Sequence, residues 1–209
     1  MKLVKSWDIF DTIIARKCVE FYNIFSLVEL KTGFPDYKKH RLLAEKLSDG
    51  TFDNIYFEFQ KLANCSVDIV EKLREEEINT EKEQLFLIRE IYDQISDGDI
   101  LVSDMYLSKE IIHELLKHVG FDKKVEIFVS YKGKRDGQIW STIRNCGYSI
   151  VLHTGDNLHS DVNKPQEYGI PTQYFPSSKL TKSEQYLREN GNNALMEIVR
   201  YIRLNDNYP

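Results

Sequence analysis

The 209-residue chain has no excess of positive charge, no long apolar run and no cysteine framework. Each absence excludes something. Lys and Arg number 28 against 33 Asp and Glu, a net charge of −5 without a basic tract, so nucleic acid is not an expected partner. No stretch approaches the roughly 18 apolar residues that span a bilayer, so no membrane partner is expected. The opening MKLVKSWDIFDT has no signal-type apolar block, because Asp8 interrupts it. Cys18, Cys65 and Cys146 are odd in number and far apart. They fit no zinc or CxxC spacing, which favours a reduced, cytoplasmic chain over a disulfide scaffold. No internal repeat or low-complexity segment stands out. What remains is an ordinary globular composition, 42% hydrophobic and 29% charged, which argues against a disordered or fibrous chain.

Apolar periodicity divides the chain into three stretches. Leu3, Val4, Trp7, Ile9 and Phe10 form a short run ending in Asp11-Thr12 and read as a buried strand. Residues 17 to 92 carry helical signals and no convincing strand. Phe21, Ile24, Phe25 and Val28 keep helical spacing, with Gly33 as a stop. Leu42, Leu43 and Leu47 continue in a second helix, and Ile55, Phe57, Phe59 and Leu62 in a third. Ser66 is placed to cap a longer one. Leu85, Ile88, Ile91 and Ile95 read as the buried stripe of another. The aromatics Phe21, Tyr22, Phe25, Tyr56, Phe57 and Phe59 are expected in the core of this helical stretch. The third stretch alternates strands and helices. Ile100–Val102, Val125–Val129, Tyr148–His153 and Pro171–Phe175 read as strands. Helices are expected after Ser108, around Ile139–Ile143, and after the capping-box pattern Thr181-x-x-Glu184. Strand–helix alternation predicts a parallel α/β sheet with right-handed crossovers and helices on both faces. In such sheets function lies at the carboxyl ends of the strands, where the strand order reverses.

Four polar groups stand at or near those ends. They are Asp8-Ile9-Phe10-Asp11-Thr12, Ser103-Asp104, Lys132-Gly133-Lys134-Arg135, and Gly155-Asp156 with Asp161 five residues on. A carboxylate can attack phosphorus covalently. Several carboxylates together need a hard cation, and Mg²⁺ with oxygen ligands suits them. A hydroxyl at a helix start holds phosphate oxygens, and a lysine offsets transition-state charge.

This ordered set resembles the four motifs of the haloacid-dehalogenase-like hydrolase superfamily. Asp8-Ile9-Phe10-Asp11-Thr12 resembles the DxDGT motif, Ser103 the second motif, and Lys134 the third. Gly155-Asp156-Asn157-Leu158-His159-Ser160-Asp161 resembles GDxxxxD. The nearest likeness is to a bacterial subgroup with FDxFDT and SDMY forms, sometimes found alongside glycosyltransferases. The resemblance implies a Rossmann-like core, residues 1–16 and 93–209, with an all-α cap inserted over residues 17–92. It implies a Mg²⁺-dependent phosphohydrolase acting on a small phosphorylated substrate, with Asp8 as nucleophile. Asp8, the carbonyl of Phe10, Asp156 and Asp161 would form the metal site. Asp161 would hold either a metal-bound water or Lys134. Ser103 would bind the phosphoryl group and Thr12 support the first loop, with Asp104 and Arg16 as further candidates for substrate contact. Lys132 and Arg135 are the neighbours that compete with Lys134 for the third-motif role. His153 and His159, flanking the fourth motif, read as core or surface histidines.

One departure matters. Position +2 from Asp8 is Phe10, where phosphatases of the superfamily carry an acid/base Asp. General acid–base help is worth about 10²–10⁴ in rate. Asp11 or Asp104 could replace it, or the substrate could carry a good leaving group. Phe10 also resembles the dehalogenase branch, whose members work without Mg²⁺. A phosphate-binding module linked to polysaccharide assembly is the third reading.

Overall fold

The structure, a computed structural model, describes residues 1–205. Its elements follow in chain order. Lys2–Asp8 is β1 and Ile14–Arg16 is β2. Four helices come next: α1 (Tyr22–Thr32), α2 (Tyr37–Leu47), α3 (Phe52–Ala63) and α4 (Val67–Gln84). Leu85–Leu87 is β3, and Arg89–Tyr92 the short α5. Then come β4 (Ile100–Ser103), α6 (Lys109–His118), β5 (Glu126–Val129), α7 (Gly133–Asp136), α8 (Gln138–Asn145) and β6 (Tyr148–Gly155). A π-helical turn (Leu158–Asn163) leads into α9 (Lys164–Glu167) and β7 (Thr172–Tyr174). Helices α10 (Lys182–Glu189) and α11 (Asn193–Asn205) follow.

The α/β class is that of a Rossmann-like fold. Five strands make a parallel sheet in the order β5-β4-β1-β6-β7. Side chains alternate across it as the strand period of two requires. Val4, Ile100 and Val102 pack with Ile139, Trp140 and Ile143 of α8, while Trp7 and Leu101 join a second cluster with Ile112 and Leu115 of α6. Both faces are therefore covered, as a parallel sheet demands. The order reverses at β1, between β4 and β6. Asp8 pairs with Val102, and Trp7 with Thr154. This register brings Asp8, Ser103 and Gly155 to the same end of the sheet.

Two of the expected caps form, while Ser66 stands at the N-cap of α4 without a side-chain cap bond. Ser108 Oγ accepts the Ile111 N–H at 3.3 Å, and Thr181 and Glu184 complete a reciprocal capping box. Gly33, at φ +65°, closes α1 in a conformation open to glycine without cost.

Two expectations fail between residues 17 and 92. Leu85 to Ile95 is not one helix. Leu85–Leu87 is a strand paired antiparallel with Ile14–Arg16, and only Arg89–Tyr92 is helical. All three residues of β3 are buried, and a continuous apolar run serves a two-sided buried strand as well as a helix. The aromatics also divide. Phe25, Tyr56 and Phe59 are buried, but Phe21, Tyr22 and Phe57 are exposed.

The four helices enclose a buried polar cluster. Glu77 accepts from Arg41 Nε (2.8 Å) and Nη2 (2.9 Å), and from the hydroxyls of Tyr37 (2.7 Å) and Tyr56 (2.8 Å). The Arg41 guanidinium lies over Phe25 and Tyr106, at 4.5 and 4.7 Å from the ring centroids. Every polar atom of the ion pair therefore sits in a low-dielectric setting with partners supplied.

Candidate active site

Asp8 is the last residue of β1 and is buried. Its Oδ2 accepts the Thr12 hydroxyl at 2.8 Å, and its Oδ1 accepts the Lys134 ammonium. Lys134 Nζ also lies 2.5 Å from Asp161 Oδ1 and 3.4 Å from the Val102 carbonyl. Lys132 is exposed and sits over the Tyr131 ring at 5.1 Å, so geometry separates the two lysines. Arg135 is exposed as well.

Asp161 is held from three sides. Its Oδ2 accepts the Asn157 N–H (2.9 Å), and its Oδ1 meets Lys134 and His153 Nε2 (3.0 Å). A β-carbon at Gly155 would lie 2.3 Å from Asp161 Cγ, so only glycine lets this carboxylate close on the strand end. His153 is fully buried, with Nδ1 2.8 Å from Ser6 Oγ and its ring edge-on to Trp140. The carboxylate can only accept, so Nε2 carries the proton and Nδ1 accepts from Ser6. A chain of contacts thus runs Ser6–His153–Asp161–Lys134–Asp8. From the sequence His153 reads as a core or surface histidine. It is buried, but its partner is a fourth-motif carboxylate, and its place three residues before Asp156 on β6 was the available signal.

Electrostatics set these carboxylates apart. Burial pushes Asp8 well above the usual carboxylate range against the pull of Lys134, with Asp161 and Asp156 adding to the rise. Asp156 is pushed up to about 7 by burial, then by Asp11 and Asp161. At Asp161 burial is overcome by Lys134 and by the His153 hydrogen bond, so it stays well below the usual range. Burial holds His153 low, against the pull of Asp161, which keeps the ring neutral. Asp8, Asp156 and Asp161 each offer a carboxylate oxygen, and these atoms all lie within 4.8 Å of one another. Two carboxyls driven upward beside a third that stays ionised are a set a divalent cation would relieve.

The other candidates divide. Ser103, at the end of β4, is buried and accepts the Met105 N–H at 3.2 Å. Asp104 is half-buried and near enough to raise Lys134 by its charge, behind Asp161 and Asp8. Thr12 spends its hydroxyl on Asp8 and is fully buried, so it orients the carboxylate. Asp11 adopts φ +60° and faces the same opening as Asp156, 3.5 Å from Arg200 Nη2. Burial raises Asp11, with Arg16 and Arg200 pulling it back. Arg16 does not reach the opening to grip an anion. It is buried and pairs with Glu81 (Nη2–Oε1 2.8 Å), stacked 4.8 Å from the Phe10 ring. Glu81 belongs to α4, which leads into β3, the strand paired with β2, a pairing no local pattern disclosed. Phe10 therefore packs its ring against Arg16. His159 is exposed.

No protein-family model matches the chain, and no curated protein does. Solved structures do match. One is a haloacid dehalogenase-like family hydrolase from Xanthomonas campestris, 14% identical, with a TM-score of 0.55 over 95% of this chain and 94% of that one. This chain has the haloacid-dehalogenase-like fold. Within that fold β1, β4 and β6 bring Asp8, Ser103 and Gly155 to one end of the sheet, where Asp8, Asp156 and Asp161 come together. Among the described residues no helix is long and apolar enough to cross a membrane.

Proposed function

We propose that the protein is a Mg²⁺-dependent phosphohydrolase that works through an aspartyl-phosphate at Asp8. The observation that carries this reading is the convergence of Asp8, Asp156 and Asp161 within 4.8 Å, with Lys134 buried between Asp8 and Asp161. Asp8, Asp156 and the Phe10 carbonyl are assigned to the cation, with Asp161 holding Lys134. When bound, Mg²⁺ would offset the carboxylates and the charge of a phosphoryl group.

Asp8 Oδ attacks phosphorus while the bond from phosphorus to the ester oxygen breaks. Thr12 keeps Asp8 oriented. Ser103 and Lys134 hold the phosphoryl oxygens, Lys134 as a compact charge near the developing negative charge. The leaving oxygen takes a proton from Asp11, the first-loop carboxyl that faces the opening, since Phe10 has none to give. Water then attacks the acyl phosphate, passes its proton to Asp11, and releases inorganic phosphate and the Asp8 carboxylate. The helices between Tyr22 and Gln84 serve as the cap that closes over this site.

Phe10 favours a second reading, a Mg²⁺-independent hydrolase of 2-haloacids. The carboxylate trio weighs against it, because that chemistry leaves Asp156 without a task. A panel of phosphate esters and acyl phosphates, assayed with saturating Mg²⁺, decides. Turnover by the wild type and its loss in Asp8→Asn are expected. Equal activity in that variant sinks the nucleophile assignment, and halide release in EDTA supports the second reading.

A further inference from the structure

The opening faced by Asp11 and Asp156 is a cavity in its own right. It has a volume of about 260 Å³ and lies between the first loop and the C-terminal helices. Asp11 and Asp156 stand on one wall, and Ser178, Lys179, Arg188 and Arg200 on the other. The basic wall belongs to the segment after β7 and to α10 and α11, so it is separate from the four-helix insertion.

The groups on that wall differ in how far their charge is already committed. Arg200 is buried and spent on the chain itself. It donates to the Ser178 carbonyl from Nε (3.0 Å) and Nη2 (2.9 Å), and to the Arg16 carbonyl from Nη1 (2.6 Å). It is a strut that fixes the Ser178 backbone against the end of β2. Arg188 pairs with Glu20 at 3.2 Å, but both side chains are more than two-fifths exposed, and water screens such a pair. Lys179 donates only to the Tyr174 hydroxyl, at 2.7 Å, and has no carboxylate within 4 Å among the described residues. Ser178 Oγ is buried and has no hydrogen-bond partner. A buried hydroxyl with an unmade bond calls for a partner. An uncommitted ammonium, a weakly committed guanidinium and an unsatisfied hydroxyl therefore share one wall. Across from them stand Asp156, assigned to the cation, and Asp11, assigned to proton transfer. Burial drives Asp11 and Asp156 upward, and Lys179 pulls each back, so its charge is felt across the opening.

Resting on the phosphohydrolase reading, we propose that the substrate is a phosphate ester with a second anionic group, held by Lys179, Arg188 and Ser178. The transferring phosphoryl lies at Asp8, and the distal anion reaches the wall built by the C-terminal segment. A phosphate or a carboxylate meets the same chemistry there, since both accept from an ammonium, a guanidinium and a hydroxyl.

Calorimetry in Mg²⁺ on the Asp8→Asn protein tests this without turnover. The probes are α,ω-alkanediol bisphosphates of graded length, the matching ω-phosphooxy carboxylates, and the matching alkyl monophosphates. At the fitting length a dianionic probe should bind about ten-fold more tightly than its monophosphate. Adding Lys179→Gln, an exposed position, should erase most of that preference and leave monophosphate binding within about two-fold. The bisphosphate and carboxylate series show which distal anion fits better. Equal binding of all series overturns the proposal. So does a preference that survives Lys179→Gln combined with Arg188→Gln. If the preference holds while the wild type hydrolyses no ester, the anion site stands and the catalytic reading falls. If the wild type hydrolyses monophosphates and bisphosphates with equal KM, the reverse holds.

Discussion

Tyr106 donates its hydroxyl to Glu77 at 3.2 Å, joining the loop after Ser103 to the centre of the four-helix insertion. Phe52 reinforces the junction. Its N–H donates to the Tyr106 carbonyl at 3.0 Å, and the two rings stack 6.0 Å apart. The loop after β4 and the helices are thus fastened by a buried carboxylate and a backbone hydrogen bond.

That carboxylate should make the fold acid-sensitive. Burial pushes Glu77 up, but Arg41 and the Tyr37 and Tyr56 hydrogen bonds bring it below its ordinary value. A depressed folded-state value means the stabilisation is present above the unfolded value of about 4.3 and is lost as pH falls through the lower, folded one. Denaturant melts of wild type should weaken progressively below pH of about 4.3. Glu77→Gln, which leaves buried Arg41 with only the half-buried Glu45 at 3.1 Å, should lose about 3 kcal/mol at pH 7. A melt for Glu77→Gln within error of wild type at pH 7 contradicts this account.

Mg²⁺ should stabilise the protein through the carboxylate trio. At one hundred times the dissociation constant the gain is about 2.7 kcal/mol, read as a rise in Tm. Asp156→Asn should abolish the rise, and EDTA should reverse it in wild type. A Tm increment retained in Asp156→Asn removes that residue from the metal site.

Asp11→Asn tests the replacement of the missing acid. Turnover of alkyl phosphates, whose leaving groups need a proton, should fall by about 10²–10⁴. Turnover of acyl phosphates should fall far less. Equal losses on both substrates would assign Asp11 to structure, through Arg200, and not to proton transfer.

His153→Gln keeps a donor near Asp161 but changes its direction. Groups that orient metal-site and catalytic carboxylates in this way are worth about 10–100-fold in metal affinity or activity. The loss should appear in kcat and in Mg²⁺ affinity, with KM for the ester little changed. A change in KM alone would assign His153 to a different task.

Much of this was legible in the chain. The strand ends carrying Asp8, Ser103 and Asp156 were visible because apolar runs stop at polar clusters, and the parallel sheet then forces those clusters together. Lys134 stands out over Lys132 through its likeness to the third motif, and it is the lysine that contacts Asp8 and Asp161. Arg16 was not placed, because its partner Glu81 lies 65 residues away and nothing local marks a buried pair. Leu85–Leu87 was misread for a related reason. Three apolar residues fit a helix stripe equally well until Ile14–Arg16 is known to lie beside them. The anion-facing wall was also invisible, since Lys179 and Arg188 look like ordinary surface charges until the C-terminal helices fold back onto the first loop.

The ribbon of β2 and β3 has a mechanical consequence. Both crossings between sheet and helices pass through it, tied by the Lys17 N–H to the Gln84 carbonyl and the Ile88 N–H to the Ile13 carbonyl, each at 2.8 Å. The same short segment fixes the loop after Asp8, where the Ile14 N–H donates to the Ile9 carbonyl and the Asp11 N–H to the Ile14 carbonyl. The helices are therefore moored to the Asp11 turn through this ribbon and to the loop after Ser103 through Tyr106. With two moorings, any movement of the helices that keeps both must carry the Asp8–Thr12 loop and the loop after Ser103 together.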